Sequence, residues 1–215
     1  MQSVAMVRRE LLILFILVLV GAATSYLLQS TRPLGRYVGD TASAVQILAG
    51  KRSPEVLTGT ADMTLVVFTD YQCPACRKAD PAMRAAIAKD GNVRVVYKDW
   101  SIFGKRSERA AEVALAAQYQ GIYSHVHHSL MRSRSLDDSA LRQTIQEAGG
   151  SWRQLETDLA QYRPAIANQL AKNHQEAFSL GLQGTPGYLI GPFLIQGALT
   201  EGEFLRAFAQ ARAKL

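Results

Sequence analysis

The sequence predicts an α/β domain: a strand, a helix and a second strand, then an inserted helical block, then an antiparallel strand pair and a closing helix. Three observations predict it. Met63 to Phe68 (MTLVVF) and Val93 to Tyr97 (VRVVY) are short apolar runs with the length and composition of buried strands. After Trp100 the apolar residues recur with helical spacing as far as about Leu180. Gly191-Pro192 then separates Tyr188 to Ile190 from Phe193 to Gln196, the signature of a tight hairpin that keeps its proline out of the ladder. With 215 residues, 48% hydrophobic and 20% charged, the chain has apolar material for one sizeable core, and two cysteines are too few for a covalent framework. Disordered, collagen-like and disulfide-dense classes are excluded.

Leu11 to Leu28 is eighteen residues without a charge, about 27 Å as a helix, which is enough to cross the hydrocarbon layer. Arg8 and Arg9 precede it, so the positive-inside rule leaves the N-terminus in the cytoplasm and exports the rest. Residues 1–30 therefore read as a membrane anchor, or as a signal segment cleaved near Ala23-Thr24-Ser25. Residues 31–60, with Pro33, Gly35, Gly39 and Gly50, read as a tether holding one or two helical turns around Ala44 to Leu48. The folded domain is expected over 61–215, with its helical insertion at about 104–181.

Between the two apolar runs, Cys73 to Lys89 is helical, with Ala79, Met83, Ala86 and Ile87 on one face. A strand, helix and strand so closely joined imply a parallel pair with a right-handed crossover. In the insertion, Ser107 to Tyr119 is an alanine-rich amphipathic helix, and Leu136 to Ala148 has Asp137 or Asp138 as its cap and ends at Gly149-Gly150. Ser151 to Gln154 has the form of a capping box, and Pro164 suits the first turn of a helix running to Leu180. Thr200 to Glu203 caps the closing helix, which turns Phe204, Leu205 and Phe208 inward.

The net charge of +6 comes from basic residues scattered among acids, as in Arg106-Ser107-Glu108-Arg109. No arginine-rich run or aromatic-basic stripe is present, so this is a solvated surface and no nucleic-acid partner is expected.

The chemistry lies in Cys73-Pro74-Ala75-Cys76, which falls where the first strand ends and the helix begins. There Cys73 meets the free N–H groups and the positive end of the helix dipole, which favour a thiolate. Cys76, one turn further in, is placed to close a short disulfide. Pro74 suits the first turn but removes an N–H that could have bonded the Cys73 sulfur, and Ala75 adds neither charge nor hydrogen bond.

Phe68 to Cys76 (FTDYQCPAC) resembles the active-site stretch of thioredoxin-fold proteins, and of the DsbA-like family in particular. Pro81 matches the proline inside the active-site helix of thioredoxins, Gly184-Thr185-Pro186 matches the loop bearing the superfamily's cis-proline, and the helical insertion matches the DsbA-like branch. The resemblance covers roughly Ala61 to Leu215. It implies a thioredoxin fold with an inserted α-helical domain, and a thiol:disulfide oxidoreductase that exchanges disulfides through Cys73 and Cys76. It also implies that Thr185 and Pro186 hold an extended substrate peptide beside Cys73. The chain departs from the family pattern at Val67, where many relatives carry a buried acid, for which Asp70 and Glu108 are the candidate substitutes. It departs again at Ala75, where the strongest oxidants carry a histidine.

Export favours dithiol oxidation of thiol-containing exported proteins, with a membrane redox partner resetting the disulfide and no cofactor. A reductase or isomerase is the alternative within the class. A metal-binding or metal-delivery protein using Cys73, Cys76 and the histidines His125, His127 and His128 is the alternative outside it. No second ligand pair accompanies the cysteines, so no metal site is expected, and the histidines are expected on an exposed helix face.

Overall fold

In the computed structural model, which describes residues 13–22, 24–25, 33–50 and 53–214, the two apolar runs lie side by side as parallel strands. Six strands form one sheet among the described residues. They are β1 (Arg36–Tyr37), β2 (Glu55–Leu57), β3 (Met63–Thr69), β4 (Val93–Asp99), β5 (Gly187–Ile190) and β6 (Phe193–Gln196), in spatial order β1-β6-β5-β3-β4-β2. β3 and β4 are parallel and every other pairing is antiparallel. The helices are α1 (residues 13–22), α2 (Ala42–Ala49), α3 (Pro74–Asp90), α4 (Lys105–Ala117), α5 (Tyr123–Arg132), α6 (Asp138–Glu147), α7 (Trp152–Gln161), α8 (Arg163–Ser179) and α9 (Glu201–Arg212).

The strands alternate between two cores, as a pleat of period two requires. Met63, Leu65 and Val67 of β3, with Val93, Val95 and Tyr97 of β4, face the cluster that includes Met83 of α3, Phe204 and Phe208 of α9, and the buried faces of α4 and α5. Val66, Phe68 and Val96 face the opposite cluster with Ile47 of α2, Ala177 of α8 and Leu189 of β5. Both faces of the central strands are therefore dry, which is why their sequence reads as an unbroken apolar run.

The alternation persists into the polar end of β4. Lys98 is buried on one side, where its Nζ lies 2.6 Å from Glu176 Oε2 of α8. Asp99 is buried on the other, where Tyr123 of α5 donates to it. Each charge enters the interior with a partner, as burial of charge demands.

The caps follow the sequence with one exception. Thr200 and Glu203 close a full capping box on α9, and the Asp137 carboxylate accepts from the Ala140 amide at 2.9 Å. Ser151 accepts from the Gln154 amide, but the Gln154 side chain turns forward to Asp158 at 2.9 Å, so the reciprocal half of that box is absent. Gly91 ends α3 in the left-handed conformation, at φ +77°.

Residues 34–57 do more than a tether would. β1 pairs with β6 and β2 pairs with β4, so the segment supplies both edges of the sheet, with α2 packed between. Strands of two and three residues carry too little pattern to be read from sequence, and only their partners define them. The described residues from Leu34 onward form one unit. In the segment before it the side chains of Ile13 to Val20 on α1 are exposed. The apolar run Leu11 to Leu28 extends outside the described residues, and among the described residues no helix is long and apolar enough to cross a membrane.

Phe204 is fully buried and meets the Tyr188 ring edge-on at 5.1 Å, beneath the site described next. Phe204→Ala is expected to lower unfolding free energy by about 3–5 kcal/mol, read as a fall in the urea midpoint at unchanged m-value.

Candidate active site

Between β3 and α3 the chain turns at Asp70-Tyr71-Gln72, and the turn is organised by a carboxylate. Asp70 is buried; its Oδ1 accepts from the Gln72 amide at 2.7 Å and from the Ser107 hydroxyl, and its Oδ2 from the amides of Ile102 at 2.7 Å and Phe103 at 3.1 Å. Four donors on one carboxylate fix the turn against the loop that enters α4. Gln72 adds a bond from Nε2 to the Phe103 carbonyl at 3.0 Å. The Asp70 carbonyl then accepts from the Cys73 amide at 3.1 Å, which sets the residue that starts the helix.

Cys73 is the N-cap of α3. Its sulfur accepts from the Cys76 amide at 3.3 Å, in the place where a serine or aspartate oxygen more often sits. Pro74 occupies the first turn. From the other side comes the loop before β5: Thr185-Pro186 is a cis peptide, and the Thr185 carbonyl lies 3.2 Å from Cys73 Sγ. The loop and the helix start, distant in sequence, thus meet at one sulfur.

This contact also buries Cys73. The residue is 2% exposed, because the Thr185-Pro186 loop closes over it, while Pro74 beside it is open to solvent and Ala75 and Thr185 are half-buried. Cys76 is buried too, and both cysteines are free thiols. Burial pushes the Cys76 thiol up, against the opposing pull of the Asp70 backbone and the Thr185 and Thr69 side chains. Thr185 Oγ1 is buried without a hydrogen bond of ordinary length, leaving Cys76 as the group it faces.

Neither candidate for the missing acid stands in its place. Val67 lies in the core, Asp70 has its oxygens committed to the turn, and Glu108 is exposed on α4. A buried acid that the sequence reading did not single out is Asp99, opposite Thr69 in the β3–β4 register. It is fully buried and accepts from the Tyr123 hydroxyl at 3.0 and 3.1 Å. Burial raises its pKa to about 7, against the hydrogen bonds of Tyr71 and Tyr123, with the Asp70 charge adding to the rise.

From Asp99 a polar network runs under the site. Tyr71, two residues before Cys73, bonds His127 Nδ1 at 2.9 Å. His127 is 1% exposed, which corrects its expected place on an exposed helix face; His125 is exposed and His128 half-buried. Burial lowers the His127 pKa to about 3, so the ring is neutral near pH 7. The spacing held the signal: His127 falls four residues after Tyr123 and three before Leu130, on the apolar stripe of α5. Neither cysteine joins a histidine in a ligand-spaced set among the described residues, so the alternative combination of Cys73, Cys76 and histidines is not assembled.

The DSBA-like thioredoxin domain model matches residues 64–209. A thioredoxin-like oxidoreductase from Silicibacter pomeroyi DSS-3 is 30% identical with a TM-score of 0.74, covering 80% of this chain and 98% of its own. A periplasmic thioredoxin-like protein from Salmonella enterica serovar Typhimurium is 27% identical with a TM-score of 0.67, covering 80% and 98%. The catalytic domain of Proteus mirabilis ScsC is 25% identical with a TM-score of 0.72, covering 83% and 99%. Two curated Na(+)/H(+) antiporter NhaA proteins, from Salinispora tropica and Salinispora arenicola, match at 26% and 27% identity over 72% and 60% of this chain; the chain spans about a quarter of their length, 24% and 20%. The chain belongs to the DSBA-like thioredoxin-domain family.

An acid whose pKa is raised by folding stabilises the fold below its unfolded value and loses that contribution as pH rises through the folded one. Asp99 therefore costs stability between about pH 4 and pH 7. Asp99→Asn is expected to gain on the wild type across this window, by up to about 4 kcal/mol, in urea unfolding at a series of pH values.

Proposed function

We propose, taking membership of the DsbA-like family as the premise, that Cys73 and Cys76 are the redox pair of an extracytoplasmic oxidoreductase that introduces disulfides into thiol-containing proteins. The observation that carries this reading is the Cys73 sulfur at the start of α3, bonded by the Cys76 amide and faced by the Thr185 carbonyl. A substrate thiolate attacks Cys73 of the closed disulfide; the Cys73–Cys76 bond breaks and Cys76 leaves with the electron pair, taking up a proton. A second substrate thiolate then attacks the substrate sulfur of the mixed disulfide and Cys73 departs, leaving the substrate oxidised and the enzyme reduced by two electrons. A membrane redox partner takes those electrons and restores the disulfide.

The roles follow from position. Cys73 borders open Pro74, the direction from which a substrate sulfur approaches, whereas Cys76 sits one turn into α3 and its raised pKa makes it a thiol once displaced. The Thr185-Pro186 backbone flanks Cys73, where an extended peptide can add strand-like hydrogen bonds. Export is supported by the charge-free run Leu11 to Leu28 after Arg8 and Arg9, which also serves as the anchor that keeps the enzyme near its partner. A periplasmic structural relative is in keeping with that location.

Cys73→Ser is expected to reduce disulfide transfer to an unfolded dithiol protein to the uncatalysed rate, while Cys76→Ser accumulates mixed disulfides with substrate at Cys73. Trapping of the alkylation state in cells gives the direction: a mostly oxidised pair is the expected result, and a mostly reduced pair would replace the oxidase with a reductase or isomerase. Absence of any mixed disulfide in the Cys76→Ser variant would overturn the exchange mechanism.

A further inference from the structure

Behind the dithiol, one turn further along α3, a second group of chemistry-bearing residues is assembled that disulfide exchange does not use. Asp80 lies four residues after Cys76 and is buried, facing His127 and His128 of α5. His128 Nδ1 is 3.2 Å from Asp80 Oδ1, and His127 Nε2 is 3.9 Å from the same oxygen. One ligand atom from each residue falls within 4.8 Å of the other two. In a tetrahedral site with metal–ligand bonds of about 2.0–2.1 Å the ligand atoms stand about 3.3 Å apart. Ring rotations of an ångström or so close this set without moving a helix.

The surroundings favour ligation over a simple hydrogen-bonded cluster. Tyr71 Oη bonds His127 Nδ1 at 2.9 Å, which turns Nε2 of the same ring toward Asp80 Oδ1, 3.9 Å away and too far for a hydrogen bond. A gap of that size between a ring nitrogen and a carboxylate oxygen has room for a cation bonded to both at about 2.0–2.1 Å. A ring nitrogen held from behind by a hydrogen bond is also the usual orientation of a ligating histidine. Arg84 Nε holds the other Asp80 oxygen at 3.0 Å, which turns Oδ1 toward the rings. Its like charge opposes a metal, but the Arg84 side chain is 38% exposed, so water screens that repulsion. His128 is 20% exposed and opens the group to solvent.

We propose that Asp80, His127 and His128 form a binding site for a divalent cation of zinc-like preference, with water as a fourth ligand. The set has two imidazoles and one carboxylate, the composition of a three-ligand zinc site with an open position. On binding, the His128 Nδ1 proton exchanges through water to Nε2, so the ring ligates as a neutral imidazole. The metal links α3, which carries the dithiol, to α5 of the inserted block. It does not use Cys73 or Cys76, which separates it from any thiolate site.

The test uses the full chain, stripped by chelator, in a Cys73→Ser, Cys76→Ser background that removes the thiols as competing ligands. Titration with Zn²⁺ alone by calorimetry is expected to show one equivalent bound, and Zn²⁺ is expected to raise the Tm. His128→Ala, at a partly exposed position, is expected to weaken binding at least about tenfold and to remove the Tm increase while leaving the metal-free melt near its starting value. Asp80→Asn is expected to weaken binding in the same way. Loss of all zinc binding on removing the two thiols would overturn the proposal, as would equal zinc affinity in His128→Ala.

Discussion

A helix begins with amides that have no partner within it, and the whole site depends on one of them being met by sulfur. The Cys76 amide points at Cys73 Sγ because Cys73 stands at the cap and Pro74 follows in the first turn. That geometry holds only if the turn before it is rigid. Asp70 provides this with four donors on one carboxylate, drawn from its own turn, the loop 102–103 and α4. The last partner of the sulfur, the Thr185 carbonyl, comes from the far end of the inserted block and is positioned because β5 runs antiparallel to β3. Helix start, anchored turn and returning strand are thus three consequences of one sheet order.

The same order explains why so much polarity is tolerated beneath the site. An uncompensated buried carboxylate or imidazole is costly, so interior polar groups persist only when they satisfy one another. Asp99 does this with Tyr123, Tyr71 with His127, and Asp80 with His128 and Arg84, of which Arg84 and the edge of His128 reach solvent. With Val67 apolar, the acid nearest in strand register to the end of β3 is Asp99, supplied by the neighbouring strand. Tyr71 couples this network directly to the Cys73 turn, two residues away in the chain.

What could be read in the sequence was what local pattern determines. The runs at Met63 and Val93, the Gly191-Pro192 hairpin, the Thr200 capping box and the Cys73–Cys76 spacing each act within a few residues, and each lies where it was expected. The features not read from sequence are those decided at a distance. Cys73 is buried by a loop more than a hundred residues later, and β1 and β2 exist only through β6 and β4. His127 is an intermediate case, because its place on the Tyr123, Val126, Leu130 stripe was visible but its chemical type argued for solvent. Lys98 and Asp99 were overlooked for the same reason: two charges looked like the end of a strand, whereas the strand continues and pairs each charge on its own face.

The Thr185 carbonyl gives the site a dependence on redox state that follows from counting protons. It lies 3.2 Å from Cys73 Sγ, as the acceptor of the thiol S–H. A sulfur joined in a disulfide carries no proton, so in the oxidised pair that carbonyl has nothing to accept from Cys73. A half-buried carbonyl that loses its partner is open to a new donor, and an approaching peptide N–H can supply it. The backbone group beside the reactive sulfur is therefore satisfied internally when the dithiol is reduced and open to a substrate strand when the disulfide is closed. Under the proposed exchange, this would favour substrate binding in the disulfide state and release once the Cys73 thiol returns.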